Sequence, residues 1–184
     1  MKTLKTFAAA TATVALLATG AIAANPEVGG APMFENKNIV ENAVNSADHT
    51  TLVAAVKAAG LVDTLASEGP FTVFAPVNSA FDALPAGTVD TLLKPENKDM
   101  LTKVLTAHVV AGNWSAADIA AKARASSDGF YHFNAVSGDA LSAQVKGKNV
   151  YIIDESGNAS RVTIADVNQS NGVIHVVNSV LVPK

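Results

Sequence analysis

The 184-residue chain contains no cysteine. This absence excludes disulfide bonds, thiol nucleophiles, thiolate metal sites and a lipid anchor attached to a cysteine. The fold therefore has to be stabilised by its hydrophobic core. The roughly 160 residues that follow the N-terminal segment are enough for one domain to build such a core.

Basic residues are also scarce, with 13 Lys and Arg against 16 Asp and Glu. Without Lys2 and Lys5, the formal net charge changes from −3 to −5. A chain this acidic lacks the basic surface that nucleic-acid binding requires. Hydrophobic residues make up 49% of the chain and charged residues 16%, which is typical of a globular protein rather than a disordered one.

Common catalytic motifs are missing as well. The chain has no Gly-x-Ser-x-Gly elbow, no His-Glu-x-x-His and no Gly-x-x-x-x-Gly-Lys phosphate loop. Asp154, Glu155 and Asp166 are carboxylates at turns and strand ends, where solvated charge is the default. We therefore predict no enzyme, no catalytic residue, no bound metal and no cofactor.

The N-terminal 24 residues predict a secretory signal peptide. Two lysines precede an Ala/Leu/Val-rich run from Phe7 to Gly20, and small residues then favour cleavage near Ala23 or Ala24. The alternative is an uncleaved anchor, but the run is shorter than the ~20 residues that a spanning helix needs. No later segment is predicted to cross a bilayer. The predicted location is extracellular or periplasmic, and the sequence does not choose between them.

Residues 25–36 contain Pro and Gly without periodicity, which predicts a flexible leader before a domain at 37–184. Apolar residues then recur at helical spacing. In two of the predicted helices we expect Val44 and Met100 to face inward. The predicted helices cover residues 38–45, 48–59, 61–67, 80–84, 95–106 and 115–123.

From Gly129 onward the apolar period changes to two, which predicts strands at 130–133, 140–146, 149–154, 161–167, 173–177 and 179–182. Helices followed by strands favour an α+β fold with antiparallel pairing among the late strands. The run Val173–Val177 follows an Asn-Gly turn and is apolar except for His175, which predicts a strand buried on both faces. We expect it to pair with Phe71–Ala75, a similar run between turn residues.

Three segments carry a family resemblance. Thr72–Phe81 resembles the first signature box of fasciclin-like domains, Asn171–Pro183 resembles the second, and Leu105–Gly112 resembles the box between them. Together with the preceding helices, the resemblance covers about residues 37–184, and three boxes in order are a specific indication. The motif residues are Thr72, Phe74, Ala75, Pro76, Asn78, Phe81, His108, Asn171, Gly172, His175 and Asn178.

The resemblance implies a wedge of about seven strands in a β-sandwich-like core, with helices packed on one side. It also implies a non-catalytic, secreted adhesion module, here a single-domain bacterial member, that binds a protein or glycan at a cell surface or matrix. Ala107, Val77 and Asn178 depart from the tyrosine, threonine and aspartate common in the family, so integrin recognition of the animal type is not expected. The oligomeric state stays open.

An alternative function is also open from the sequence. The protein would then be a carrier or sensor of a small apolar ligand or glycan, bound in a groove between helices and sheet. An apolar cleft lined by a few polar groups would favour this alternative, whereas a dry, filled core would favour the adhesion module.

His108 and His175 both lie in apolar surroundings, one on a helical stripe and one inside the last strand. A metal pair or a general base is one interpretation. Buried histidines that are hydrogen-bonded to polar neighbours such as Asn78 are the other, and we favour it because buried polar groups need partners.

The segment Phe130-Tyr131-His132-Phe133 concentrates aromatic residues on one predicted strand. Alternation sends Tyr131 and Phe133 to one face and the other two side chains to the opposite face. We take Tyr131 and Phe133 as a candidate exposed patch for a sugar or protein partner, with core packing as the alternative.

Three triplets, starting at Asn113, Asn158 and Asn168, match the N-glycosylation pattern. Such triplets arise often by chance. The short lysine-alanine signal peptide is typical of bacteria, so we expect no glycans there.

Overall fold

The computed structural model describes residues 25–184, so the predicted signal peptide at 1–24 lies outside the described residues. Nine strands are present in this part of the chain, and seven of them form one sheet. The strands are β1 (Glu27–Val28), β2 (Ala31–Pro32), β3 (Phe71–Pro76), β4 (Val109–Ala111), β5 (Phe130–Asn134), β6 (Ala140–Lys146), β7 (Asn149–Ile153), β8 (Ala159–Gln169) and β9 (Gly172–Val177).

The helices are short and stand mostly before the late strands. Two 3₁₀ turns, Ala47–His49 and Pro95–Asn97, lead directly into helices. The α-helices are α1 (Ile39–Ala43), α2 (Thr50–Ala59), α3 (Val62–Ala66), α4 (Asn78–Asp82), α5 (Thr88–Leu92), α6 (Lys98–Thr106) and α7 (Ala116–Ala125). The predicted α+β fold is confirmed. Helix α5 was not predicted, because none of its side chains is fully buried and no apolar stripe marks it.

The large sheet has the strand order β4-β3-β9-β8-β7-β6-β5. β3 and β9 pair in parallel, with Val73 opposite Ile174, and all the other neighbours are antiparallel. The predicted pairing of the last strand with the Phe71 segment is therefore confirmed. The approach is close enough that a Cβ on Gly172 would lie 2.0 Å from the carbonyl oxygen of Phe71.

Strand β9 is buried on both faces because the sheet separates two hydrophobic clusters. Ile174 and Val176 face the cluster formed with α1 to α6, and their exposed fractions are 5% and 2%. Val177 faces the second cluster, where Phe74 of β3 meets Ile152 of β7. Alternate residues of one strand thus serve two cores, which explains why apolar residues occupy both faces of it.

Polar side chains fix the ends of the helices. Ser115 and Asp118 form a capping box at the start of α7. The side-chain oxygen of Asn78 accepts the backbone N–H of Thr51 at 3.0 Å, so this residue caps α2 from a different element. Asn78 is itself the first residue of α4, which has no side-chain cap.

The leader predicted at 25–36 is not a flexible segment. β1 and β2 form a small hairpin whose Val28 and Met33 are buried in the core, with exposed fractions of 3% and 2%. The backbone N–H of Ala47 donates to the carbonyl of Gly29 at 3.2 Å and ties the hairpin to the domain. The prediction failed because two buried residues separated by a Gly-Gly turn are too short a pattern to show periodicity.

Residues 179–182 do not form the predicted strand. Their backbone donors go to side chains instead: the N–H of Leu181 donates to His108 Nε2 at 2.8 Å and that of Val182 to Asp154 Oδ2 at 2.9 Å. A segment that uses its donors in this way cannot join a ladder.

Two inward-facing predictions were also wrong. Val44 and Met100 are 47% and 58% exposed. Asn42 is buried together with Ile39 on the inward side of α1, and its amide contacts Gln169 and the carbonyl of Phe34. A fully satisfied buried amide can replace an apolar side chain there.

Candidate functional site

The candidate site lies where the seven-stranded sheet does not close. β4 and β5 are its two edges, and the N–H of Val136 donates to the carbonyl of Val109 across the gap at 2.7 Å. Helix α7 packs over β5 and β6 beside this gap. Between them is a cavity of about 170 Å³, here called the aromatic cleft, lined by Thr72, Phe74, Val110, Ala111, Trp114, Ile119, Tyr131, Phe133 and Asn134.

Four rings run in sequence from the surface of the cleft to the core. The centroid distances are 6.0 Å for Trp114–Tyr131, 5.2 Å for Tyr131–Phe133 and 6.2 Å for Phe133–Phe74. These separations are those of favourable aromatic pairs. Phe74 is 1% exposed and the other three rings are half-buried. The row is therefore fixed in the core at one end and exposes ring surface at the other.

One lysine covers the outer rings. Lys122 Nζ of α7 lies 5.1 Å from the ring centroid of Trp114 and 5.2 Å from that of Tyr131. Both distances allow a cation–π contact. The mouth of the cleft therefore combines a positive charge with two electron-rich faces.

The loop that carries Trp114 is held by several hydrogen bonds. Thr72 Oγ1 accepts the N–H of Trp114 at 2.9 Å and donates to the carbonyl of Gly112 at 2.8 Å. The indole Nε1 donates to the carbonyl of Ala111 at 3.0 Å. Gly112 has φ +101°, and a Cβ there would lie 2.8 Å from Trp114 Nε1, so only glycine fits beside the indole.

His175 connects this loop to the core. Its Nδ1 accepts the N–H of Asp166 at 3.2 Å, so Nε2 carries the proton and donates to the carbonyl of Trp114 at 2.8 Å. Asp166, at φ +57° in a bulged region of β8, also accepts the N–H of Ala116 at 2.7 Å. Burial lowers the pKa of His175, opposed in part by the Trp114 carbonyl and the Asp166 charge, so the ring is neutral.

His108, directly before β4, is bonded in the same manner. Its Nε2 accepts the N–H of Leu181, and Nδ1 donates to the carbonyl of Val104 at 2.8 Å. Burial lowers its pKa to about 4. Each of these two histidines has both ring nitrogens in hydrogen bonds, which leaves none free to ligate a metal or to take a proton. The partner predicted for them, Asn78, was wrong, because its side chain caps α2.

The comparisons with known proteins agree with this geometry. A model of the fasciclin domain matches residues 47–183. The chain belongs to the fasciclin domain family.

Two relatives show how widely this fasciclin domain is shared. Protein sll1483 of Synechocystis sp. is 51% identical over 145 residues, which cover 79% of this chain and 73% of the relative. Immunogenic protein MPB70 of Mycobacterium bovis is 36% identical over 146 residues, which cover 77% of this chain and 66% of that protein.

A solved structure shows the same fold. The FAS1 domain pair from the insect cell adhesion molecule Fasciclin I matches with a TM-score of 0.69 at 18% identity, over 79% of this chain. The match spans 50% of the insect chain.

The exposed patch predicted at Tyr131 and Phe133 needs correction. In the fasciclin domain both side chains are half-buried and line the cleft, whereas His132 points outward, stacks on Phe130 at 6.1 Å and pairs with Asp128 at 2.8 Å. Strand alternation separates the two faces but cannot show which of them is covered.

The remaining motif residues have structural contacts. Asn171 accepts the N–H of Ile39 at 3.0 Å and donates to the carbonyls of Leu65 and Ser67. Asn178 accepts the N–H of Arg161 at 2.8 Å. The apolar motif residues Phe74, Ala75, Pro76 and Phe81 are all buried.

Sequence reasoning missed three residues of interest. Trp114 was noted only within a glycosylation triplet, although a lone tryptophan between Gly112 and the helix cap Ser115 indicates a constrained loop. Lys122 gave no indication in the sequence, because its contact depends on how α7 packs. His49 is buried and bonded to Ser46 Oγ at 2.9 Å, and only the structure shows it.

Proposed function

We propose that this fasciclin domain is a non-catalytic adhesion and interaction module that is exported and binds a protein or glycan at a cell surface or matrix. The observation that carries the proposal is the aromatic cleft at the open edge of the sheet. Half-buried Trp and Tyr rings on a fixed base are the side chains that most often anchor binding partners.

Two further observations support it. The hydrogen bonds that use every ring nitrogen of His108 and His175 leave these side chains to the scaffold rather than to acid–base chemistry. The insect protein that shares the fold is described as a cell adhesion molecule. Export would follow from a signal peptide at residues 1–24, with the mature fold after it.

The test is binding of the mature chain to envelope preparations and to whole cells. Trp114→Ala and Tyr131→Ala should each weaken binding by about tenfold or more, as removal of an interface anchor does. Phe130→Ala and His132→Ala, on the opposite face of the same strand, are the matched controls and should bind normally. Circular dichroism confirms that each variant is folded.

The two pairs of variants separate the outcomes. If the cleft variants are folded and bind as well as the parent while Phe130→Ala or His132→Ala binds poorly, the partner uses the other face and the proposal is wrong. If all four bind as the parent does, neither the cleft nor the opposite face of β5 takes part in recognition, and the proposal is again wrong.

A further inference from the structure

The mouth of the aromatic cleft is open to solvent and has room for one flat ring. Its rings Trp114 and Tyr131 are half-buried, and Ala111 and Asn134 in its lining are exposed. The planes of the two rings are inclined by 51°, so they form two walls of an angle rather than a flat platform. The volume of about 170 Å³ is below the roughly 300–1,000 Å³ of pockets that enclose a drug-sized ligand. A ligand can therefore place one ring in the cleft while the rest of it stays outside.

The positive charge at this mouth is not paired with a carboxylate of residues 25–184. The ammonium of Lys122 lies 5.1 and 5.2 Å from the ring centroids of Trp114 and Tyr131 and forms no ion pair in this part of the chain. The carboxylate one helical turn earlier, Asp118, is used in the capping box with Ser115. An incoming anion can therefore pair with Lys122 without breaking a salt bridge. The flexible stem of the lysine allows its ammonium to leave the rings and meet that anion.

Backbone groups at this edge of the sheet are not free to pair with a peptide strand. The carbonyl of Val109 on β4 accepts the N–H of Val136 at 2.7 Å. The carbonyl of Ala111 accepts the indole N–H of Trp114 at 3.0 Å. A peptide that extends a sheet needs such acceptors. A protein partner of standard interface size buries about 800 Å² on each side, so most of its contacts would lie outside the cleft. The cleft itself fits a compact ring better than a polypeptide.

We propose, on the basis of the function proposed above, that the group bound in the cleft is one hexuronic acid residue of an acidic polysaccharide. Sugar C–H bonds carry partial positive charge, so the flat face of the sugar packs on the electron-rich faces of Trp114 and Tyr131 as a cation does. The carboxylate of the same sugar residue pairs with Lys122. A neutral sugar lacks the second contact and an acidic peptide lacks the first, so a uronate is the class that uses both.

This site also gives a location to the glycan alternative raised by the sequence, because the cleft lies between helix α7 and the sheet. The apolar ligand of the same alternative has less support. The cavity beside α2, lined by Leu52, Val56 and Ile174 among others, measures about 50 Å³, which is too small for an alkyl chain.

The experiment uses tetramers of galacturonate, glucuronate, mannuronate and guluronate as probes, each compared with its uncharged methyl ester and with a tetra-aspartate peptide. Trp114 is the only tryptophan of the chain, so its emission reports occupation of the cleft, and calorimetry with the mature chain measures affinity. At least one uronate tetramer should bind. Its methyl ester should bind at least about tenfold more weakly, as loss of a charged hydrogen bond predicts, and the peptide should not bind. Added salt should weaken binding of the tetramer and leave binding of the ester unchanged.

Variants of α7 test the charge. Lys122→Gln should reduce the affinity for the uronate tetramer at least about tenfold and leave that for the ester unchanged. Lys122→Arg keeps the charge and should bind the tetramer more tightly than Lys122→Gln does. Arg124→Gln removes the same charge two residues later on the same helix, outside the lining of the cleft, and is the matched control that should bind as the parent does. Trp114→Ala should lose both the tetramer and the ester.

Four results would overturn the inference. No uronate tetramer binds the parent chain; the ester binds as tightly as the acid; the peptide binds as tightly as the tetramer, which indicates a polypeptide partner; or Lys122→Gln and Arg124→Gln have equal effects, which indicates unspecific attraction.

Binding to cells tests the adhesion proposal separately. If cell binding requires Trp114 but no uronate binds, the adhesion module stands and the uronate is the wrong partner. If uronates bind in a manner that depends on Lys122 while cell binding does not require the cleft, the ligand class stands and the adhesion proposal is wrong.

Discussion

The Nε2 atom of His175 donates a 2.8 Å hydrogen bond to the carbonyl oxygen of Trp114. This bond joins the buried strand β9 to the loop that carries the outermost ring of the cleft. The other nitrogen of the ring accepts a backbone N–H from Asp166, so the geometry requires a neutral ring. Core stability and the position of the cleft therefore depend on one protonation state.

Stability should fall as the pH falls from 7 towards 4. The pKa values of His49, His108 and His175 are lowered by burial, to about 4 for His108, whereas an unfolded histidine titrates near 6.5. Between these values the unfolded chain binds protons that the folded chain does not. Each histidine then lowers the free energy of unfolding by up to about 1.4 kcal/mol per pH unit.

Urea unfolding at pH 7.5, 6 and 5 measures this slope. Carboxylate titration contributes little to the slope in that range. Hydrogen bonds from Ser126 and, to a smaller extent, His132 lower the pKa of Asp128, and the stability that they provide is lost only below about pH 4. His175→Gln should have a shallower slope than the parent. A stability that is flat from pH 7.5 to 5 would show that these rings do not stay neutral in the fold.

His108→Ala should destabilise the fold by about 2–4 kcal/mol. His108 is 2% exposed, so removing its ring leaves a cavity in the core. The substitution also removes the acceptor for the N–H of Leu181. A domain of this size loses roughly 2–4 °C in Tm per kcal/mol, which calorimetry detects easily. His132→Ala, at an exposed site, should cost about 1 kcal/mol or less. An unchanged Tm for His108→Ala would contradict its role in the core.

Thr72→Val should loosen the Trp114 loop without unfolding the protein. The substitution removes both hydrogen bonds of the hydroxyl and should cost about 1–3 kcal/mol. Trp114 is the only tryptophan, so its emission reports the loop directly, and we expect a red shift. Thr163→Val removes a single hydrogen bond, which the hydroxyl of Thr163 on β8 donates to the carbonyl of Val176 on β9, and it is the control. Identical spectra for the two variants would mean that Thr72 does not hold the loop.

Gly172→Ala should cost about 3 kcal/mol or more, because the new Cβ would overlap the Phe71 carbonyl at the start of the parallel pair. Gly147→Ala is the control, since Gly147 has φ +62° in a turn with open space around it. Its cost should be about 1–2 kcal/mol from backbone strain alone. Similar unfolding midpoints for the two variants would show that the strands can separate at this point.

Much of the fold could be predicted because its patterns are local. The apolar run Val173–Val177 predicted burial on both faces, and the residues at helical spacing predicted α2 and α6. The hairpin at residues 27–32 could not be predicted in this way, because its two-residue strands are too short for any period. Residues 179–182 were mistaken for a strand because composition does not show where backbone donors go.

The cleft could be predicted only in part. Tyr131 and Phe133 were singled out by composition, but their half-buried position depends on which face of β5 the helix α7 covers. Trp114 and Tyr131 are brought to 6.0 Å by the approach of two sheet edges, and no local pattern records that. The same holds for the cavity beside α2, whose lining comes from elements along most of the chain.

Strand β9 lies between β3 and β8 in the sheet, and its parallel partner β3 is far from it in sequence. Until β9 docks, β3 and β8 have no neighbour between them, and the two cores stay open. The domain therefore closes through contacts between distant parts of the chain, which makes folding slower than it is for proteins built from local contacts.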